Sequence, residues 1–318
     1  MEPVGAKIAI VGAGAVGTSI AYAALIRGVA RTVALMDVNE RKVAAEGLDL
    51  QHGLEYVPRA TVLGSADPQI CADADVVVFT AGAKQKPGQS RLELAEATIE
   101  LTRTALPPIV DAAPNARYVM VTNPVDVVTY AALRFTGLPR RQLFGSGTVL
   151  DSSRLRFLLS EHCGVAVQNV HAYIAGEHGD TEIPLWTSAT IGGVPLLDWT
   201  PLPGWPALDA AARDRIRDDV VGSAYRIIEG KGATNYAIGL AAARIVEALL
   251  DDERRVLPVS SLIDDDVVGL RDVCLSLPTV VDAAGAGRRL PITLSDDELL
   301  GLRASAQTLA RMQRRFGL

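Results

Sequence analysis

Four histidines are the chain's whole supply of imidazole, so each candidate for proton transfer near neutral pH can be weighed singly. His52 and His162 fall in helical stretches, where a structural role is expected of each rather than a catalytic one. His171 lies in a strand-like run. His178 differs, because it sits in the run Ile174-Ala175-Gly176-Glu177-His178-Gly179-Asp180. Its flanking glycines let the backbone turn sharply beneath a ligand. Upstream, Asp151 and Arg154 stand one helical turn apart at the start of a helical stretch, which puts them on one face. These residue types can exchange a proton and hold an anion. Their spacing alone does not say on what.

The elements that would position them begin with a nucleotide-type unit. Residues 8–11 form a short apolar run, sized for a buried parallel strand. It runs into Gly12-Ala13-Gly14-Ala15-Val16-Gly17, a helical stretch to about Arg27, and a second strand at 32–36 that ends at Asp37. Gly12 permits the tight turn, Gly14 lets backbone approach a pyrophosphate, and Gly17 lets helix and strand pack closely. The helix N-terminus offers N–H groups and partial positive charge to phosphates. Asp37 suits the adenosine ribose hydroxyls and would repel a 2′-phosphate, so NAD is expected over NADP. Residues 8–26 carry no charge and are long enough to span a bilayer. Three glycines and the lack of a basic leader argue instead for strand, turn and helix.

Further strands are expected at 75–80, 118–122 and 143–145. Alternation with helical segments implies a parallel sheet, with ligands beyond the carboxyl ends of its strands. Asp37, Thr80, Asn123 and Ser146 are therefore cleft candidates. The second half reads differently: helices at 151–162 and 213–229, strands at 169–174 and 187–191, and a last helix opened by a Ser295/Glu298 capping box. The expected fold class is α/β, a Rossmann doubly wound parallel sheet (residues 1–147) followed by an α+β substrate and catalytic domain (residues 148–318).

Composition sets bounds. Of 318 residues, 49% are apolar and 21% charged, enough for a large core. The net charge of −6, with no Lys/Arg run, argues against nucleic acid. Three cysteines, Cys71, Cys163 and Cys274, show neither disulfide nor metal spacing, which fits a reducing cytosol and no metal.

The motifs GAGAVG, AGAKQKPGQSR, VTNPVD, GSGTVLDSSRLR, GEHGD and KGATNYAIG occur in order along essentially the whole chain. In this order they resemble those of the lactate/malate dehydrogenase family. The resemblance implies an NAD-dependent enzyme that moves a hydride between NADH and a 2-keto acid. It gives His178 the role of proton donor and acceptor, Asp151 that of its orienting carboxylate, and Arg154 that of the fork for the substrate carboxylate. The chemistry suits these types: imidazole poised near neutrality transfers the proton, and guanidinium pairs bidentately with a carboxylate. Arg91, on a polar stretch read as a lid, resembles the residue that polarises the carbonyl. Asn123 resembles a second donor, with a cis bond before Pro124. Thr234 and Ile238 resemble residues lining the substrate and nicotinamide pockets. Val16, Thr80, Ala81, Gly82 and Ser146 complete the cofactor positions.

Gln85 bears on the substrate. Malate dehydrogenases of the family usually carry Arg at the matching lid position. A neutral Gln85 would leave a second substrate carboxylate uncompensated, so pyruvate and (S)-lactate are expected over oxaloacetate and malate. Larger 2-keto acids are harder to exclude. A non-catalytic NAD-binding protein would have no need of the His178, Asp151, Arg154 and Arg91 set. Gln89 departs from the acid common in relatives. Arg156 and His171 resemble the pair that binds fructose 1,6-bisphosphate in allosteric bacterial members, between subunits of a homotetramer. No membrane partner is expected.

Overall fold

The computed structural model describes residues 5–83, 91–264 and 269–318. The uncharged run at 8–26 divides as its glycines require, into strand β1 (Lys7–Val11), a turn and helix α1 (Ala15–Arg27). Among the described residues no helix is long and apolar enough to cross a membrane.

Strands β2 (Thr32–Met36), β3 (Thr61–Ser65), β4 (Val76–Phe79), β5 (Arg117–Met120) and β6 (Leu143–Gly145) join β1 in parallel, in the order 3-2-1-4-5-6. That order reverses at β1 and β4, opening a crevice at the strands' carboxyl ends. The two-residue period of β1 serves both faces of the sheet. Ile8 and Ile10 pack with Val33, Leu35, Val76 and Val78, while Ala9 and Val11 pack with Ala34, Met36, Val77 and Phe79. Helices α2 (Glu40–His52), α3 (Arg91–Ala112) and α4 (Val125–Thr136) complete the crossovers.

Helix α5 (Val149–Cys163) opens the second half. The strands expected at 169–174 and 187–191 are much shorter. They reduce to β7 (Val170–His171), β8 (Ile174–Ala175) and β10 (Thr190–Ile191), paired with one another or with β9 (Ile183–Pro184) and β11 (Val194–Pro195). Val170, Ile174 and Ile191 are buried as apolar residues should be, but their partner strands are only two residues long. Helices α6 (Ala210–Lys231) and α7 (Tyr236–Leu250) follow. Three strands, β12 (Arg255–Ile263), β13 (Val273–Asp282) and β14 (Gly285–Arg289), then extend the first sheet antiparallel beyond β6, making nine strands. The second half thus builds part of the first sheet, which the sequence reading did not anticipate. Helix α8 (Asp296–Arg315) closes the chain, and its capping box forms through both Ser295 and Glu298. Glu298 also accepts from the backbone N–H of Thr187, tying the helix start to the segment after β9.

Candidate active site

The glycine turn fits a dinucleotide. Gly12 lies at φ +102°, and a Cβ there would sit 2.8 Å from the Ala81 nitrogen. A Cβ on Gly17 would collide with the Gly12 carbonyl at 1.9 Å, whereas one on Gly14 would meet nothing within 4 Å. The crowded glycines pack protein on protein, and the open one faces space a phosphate can enter. Among the described residues no side chain caps the α1 N-terminus, which leaves its first N–H groups to an anion. The Thr80 hydroxyl lies 3.0 and 2.9 Å from the Val11 and Gly12 carbonyls, pinning the turn. Asp37 accepts from the N–H of Ala13 at 2.9 Å and of Asn39 at 3.0 Å. Each carboxylate oxygen keeps acceptor capacity beyond these bonds for ribose hydroxyls.

Other expected positions lie at the carboxyl ends of the parallel strands. Ala81 and Gly82 follow β4, Ser146 is buried after β6, and exposed Asn123 follows β5 with a cis bond to Pro124, as expected. Val16 and Ile238 pack against the same apolar cluster. Asn235, next to Thr234, donates from Nδ2 to the Ser19 hydroxyl of α1 at 2.9 Å. Gly239 lies so near α1 that a Cβ would reach within 2.9 Å of the Ser19 carbonyl.

Asp151, on the first turn of α5, is 1% exposed and holds two cations. Its Oδ2 lies 2.5 Å from Nδ1 of His178, and its Oδ1 accepts from Nη1 of Arg154 at 2.6 Å. Burial alone would raise its proton affinity. The His178 charge and hydrogen bond, with Arg154, hold it below the usual carboxylate range instead. For His178 burial acts downward, but the charge and hydrogen bond of Asp151, joined by Asp126 and Glu182, push the imidazole up to about 9. Of the three acids that act on this ring, the sequence reading expected only Asp151.

The loop that carries His178 is clamped. Gly176 and Ser276 of β13 exchange both backbone hydrogen bonds at 2.9 Å. The Glu177 N–H donates to Ser305 Oγ of α8 at 2.7 Å, and Glu177 also accepts from Thr181. Asp126 of α4 accepts the His178 N–H at 2.7 Å and the Ser260 hydroxyl at 2.6 Å. Sequence reading missed Asp126, Glu182, Ser260 and Ser305. Only Asp126 carried a signal, lying inside VTNPVD.

Arg156 is half-buried, its Nε donating to the Ala172 carbonyl at 2.8 Å and its guanidinium 4.9 Å from the Tyr173 ring centre. His171, beside Ala172, is exposed. His162 lies 3.1 Å from the Ala207 carbonyl through Nε2. Gln85, Gln89 and the rest of 84–90 lie outside the described residues, as does the side chain of Arg91, whose backbone opens α3.

Residues 6–145 match the family model described as lactate/malate dehydrogenase, NAD binding domain, and residues 148–314 match that described as lactate/malate dehydrogenase, alpha/beta C-terminal domain. The chain belongs to the lactate/malate dehydrogenase family. An L-lactate dehydrogenase from Bifidobacterium animalis subsp. lactis is 55% identical over 98% of this chain and 97% of its own length. One from Kosmotoga olearia is 44% identical over 95% and 94%. Among solved structures, a lactate dehydrogenase enzyme from a Medee basin deep-sea metagenome library superposes with a TM-score of 0.93 at 36% identity, covering 98% of this chain and 99% of that one. A minor L-lactate dehydrogenase from Enterococcus mundtii, in a ligand-bound form, also reaches 0.93, at 35% identity over 98% of both chains. As a member of this family the chain is an NAD-dependent oxidoreductase, and its glycine turn has the shape that cofactor needs.

Proposed function

We propose that the chain is an L-lactate dehydrogenase, catalysing reversible hydride transfer between NADH and pyruvate to give (S)-lactate and NAD. One observation carries the chemistry: a single buried carboxylate, Asp151, binds an imidazole through one oxygen and a guanidinium through the other. The names of the relatives above support the choice of substrate.

When bound, the cofactor would supply the hydride as NADH or accept it as NAD. The chain's own groups bind, orient and move the proton. Nδ1–H of His178 donates to Asp151, which fixes the ring and leaves Nε2 to carry the exchanged proton. In reduction Nε2 gives it to the ketone oxygen of pyruvate, and in oxidation it takes it from the hydroxyl of lactate. Arg154 uses one Nη1 donor on Asp151, and a guanidinium has five N–H donors, so a fork remains for the substrate carboxylate. Arg91 and Asn123 are the proposed donors to the developing oxyanion, Gln85 and Thr234 the groups that bound the substrate's methyl end, and Ile238 the wall behind the nicotinamide. Gly12, Gly14, Val16, Gly17, Asp37, Thr80, Ala81, Gly82 and Ser146 hold the dinucleotide. Residues 1–147 form the cofactor half and 148–318 the substrate half.

We further propose regulation by fructose 1,6-bisphosphate through Arg156 and His171. Arg156 hydrogen-bonds the Ala172 carbonyl, the residue after exposed His171, and this sequence proximity supports the reading. A multiply charged phosphate would join such sites between subunits of a homotetramer. The three free, buried cysteines suit a cytoplasmic setting. The test is a side-by-side assay of NADH consumption with pyruvate, oxaloacetate and branched 2-keto acids, with and without the bisphosphate. Pyruvate should be preferred and its KM lowered by the activator in the parent but not in Arg156→Ala. A preference for oxaloacetate contradicts the substrate reading, and identical kinetics in both proteins contradict the regulation.

A further inference from the structure

Glu182 lies four residues beyond His178 and is 6% exposed. Its carboxyl group, the Asp151 carboxylate and the His178 ring each present an atom within 4.8 Å of the other two. Its Oε1 has no hydrogen-bond partner among the described residues. A buried carboxylate oxygen with no donor is expensive, and the neutral acid is far less so. Charged groups bear on this spot from α5, from α4 and from its own loop. Asp151 and Arg154 act from α5, and His178 and Glu177 from Glu182's own loop, while Asp126 of α4 acts on His178.

Building on the reading of His178 as proton carrier, we propose that Glu182 is a positioning residue that works through that imidazole. Its carboxyl stays neutral while the site is fully protonated, then ionises as protons leave and holds the imidazolium charged to higher pH. Burial and the Asp151 charge push the Glu182 carboxyl up to about 9, the same window as His178. Each ionisation state then favours its complement: a carboxylate at 182 stabilises the cation at 178, and the cation eases ionisation at 182. Reduction of the keto acid, which needs the protonated ring, persists further into alkaline conditions than the His178–Asp151 pair alone would allow.

Two measurements test this. In kcat/KM for pyruvate against pH, the basic limb of Glu182→Gln should lie lower than the parent's by about half a unit or more. The ratio of variant to parent activity should therefore fall several-fold between about pH 7 and pH 9. Independently of turnover, infrared difference spectra of the parent should show a protonated-carboxyl stretch that disappears as pH rises through about 9 and is missing from Glu182→Gln. Superimposable limbs in a folded, NADH-binding variant would reduce Glu182 to packing. Absence of the protonated-carboxyl band near neutrality would overturn the proposal even if the variant failed to fold. A parent that binds NADH but leaves pyruvate untouched would contradict the function reading instead, and the infrared band would still decide the state of Glu182.

Discussion

The backbone N–H of His178 donates to Oδ2 of Asp126 at 2.7 Å, so a buried acid on α4 sets the height of the loop that presents the imidazole. The other Asp126 oxygen takes the Ser260 hydroxyl from β12, and Gly176 is bridged to Ser276 on β13. Three elements of the large sheet and its crossovers therefore hold a loop that would otherwise run freely between α5 and α6. Preorganisation of this kind spares the site the cost of ordering a catalytic group during the reaction.

Removing that acid should expose the dependence. Asp126→Ala leaves a backbone N–H and a buried hydroxyl without their acceptor, at a cost of about 1–3 kcal/mol. Thermal unfolding should move down by several degrees, and kcat should fall more than NADH affinity, because the dinucleotide turn lies elsewhere. Unchanged turnover in a folded variant would show that the clamp is dispensable.

Charge on Asp151 should govern the pH profile. The imidazole of His178 is raised from 6.5 to about 9, so its protonated form is complete at neutral pH and is lost as pH rises through about 9. Pyruvate reduction should be flat across neutrality and decline above that point. Lactate oxidation, which needs the neutral ring, should climb through the same window. In Asp151→Asn burial acts on His178 with its main counter-charge gone, so the basic limb of reduction should move down by a unit or more. Reduction at neutral pH should drop by about 10²-fold or more. Rates measured against pH in both directions check this, and an unshifted limb in the variant would contradict it.

Much of this arrangement was legible in the residues. The glycine turn and its strand, helix and acid state their geometry in their spacing, and Gly12 and Gly17 occupy positions where a Cβ would clash. The Ser295/Glu298 box announced α8. What stayed hidden depends on distant pairing. β12 and β13 are apolar runs whose place beyond β6 is set by tertiary contact, which local pattern does not encode. Val170, Ile174 and Ile191 are buried against α5 and α6 rather than by long ladders, so the apolar content of these runs overstated their length as strands. Glu182 went unnoticed, because nothing local shows that it turns inward beside Asp151.

Substrate choice should rest on the charge at position 85. Gln85→Arg would supply a cation for a second substrate carboxylate, where the neutral parent leaves that charge uncompensated. The ratio of kcat/KM for oxaloacetate over pyruvate should rise at least tenfold, equivalent to about 1.4 kcal/mol, and much more if the pair is well desolvated. Competitive assays with the two keto acids measure it. An unchanged ratio would remove Gln85 from the specificity determinants.

The most direct measurement compares the parent with His178→Ala, following NADH absorbance on addition of pyruvate and NADH binding by fluorescence. Loss of proton transfer should cut turnover by about 10²–10⁴-fold while the dinucleotide still binds, since the glycine turn and Asp37 are untouched. Parent-like turnover in His178→Ala would contradict the proton-carrier role on which the account depends.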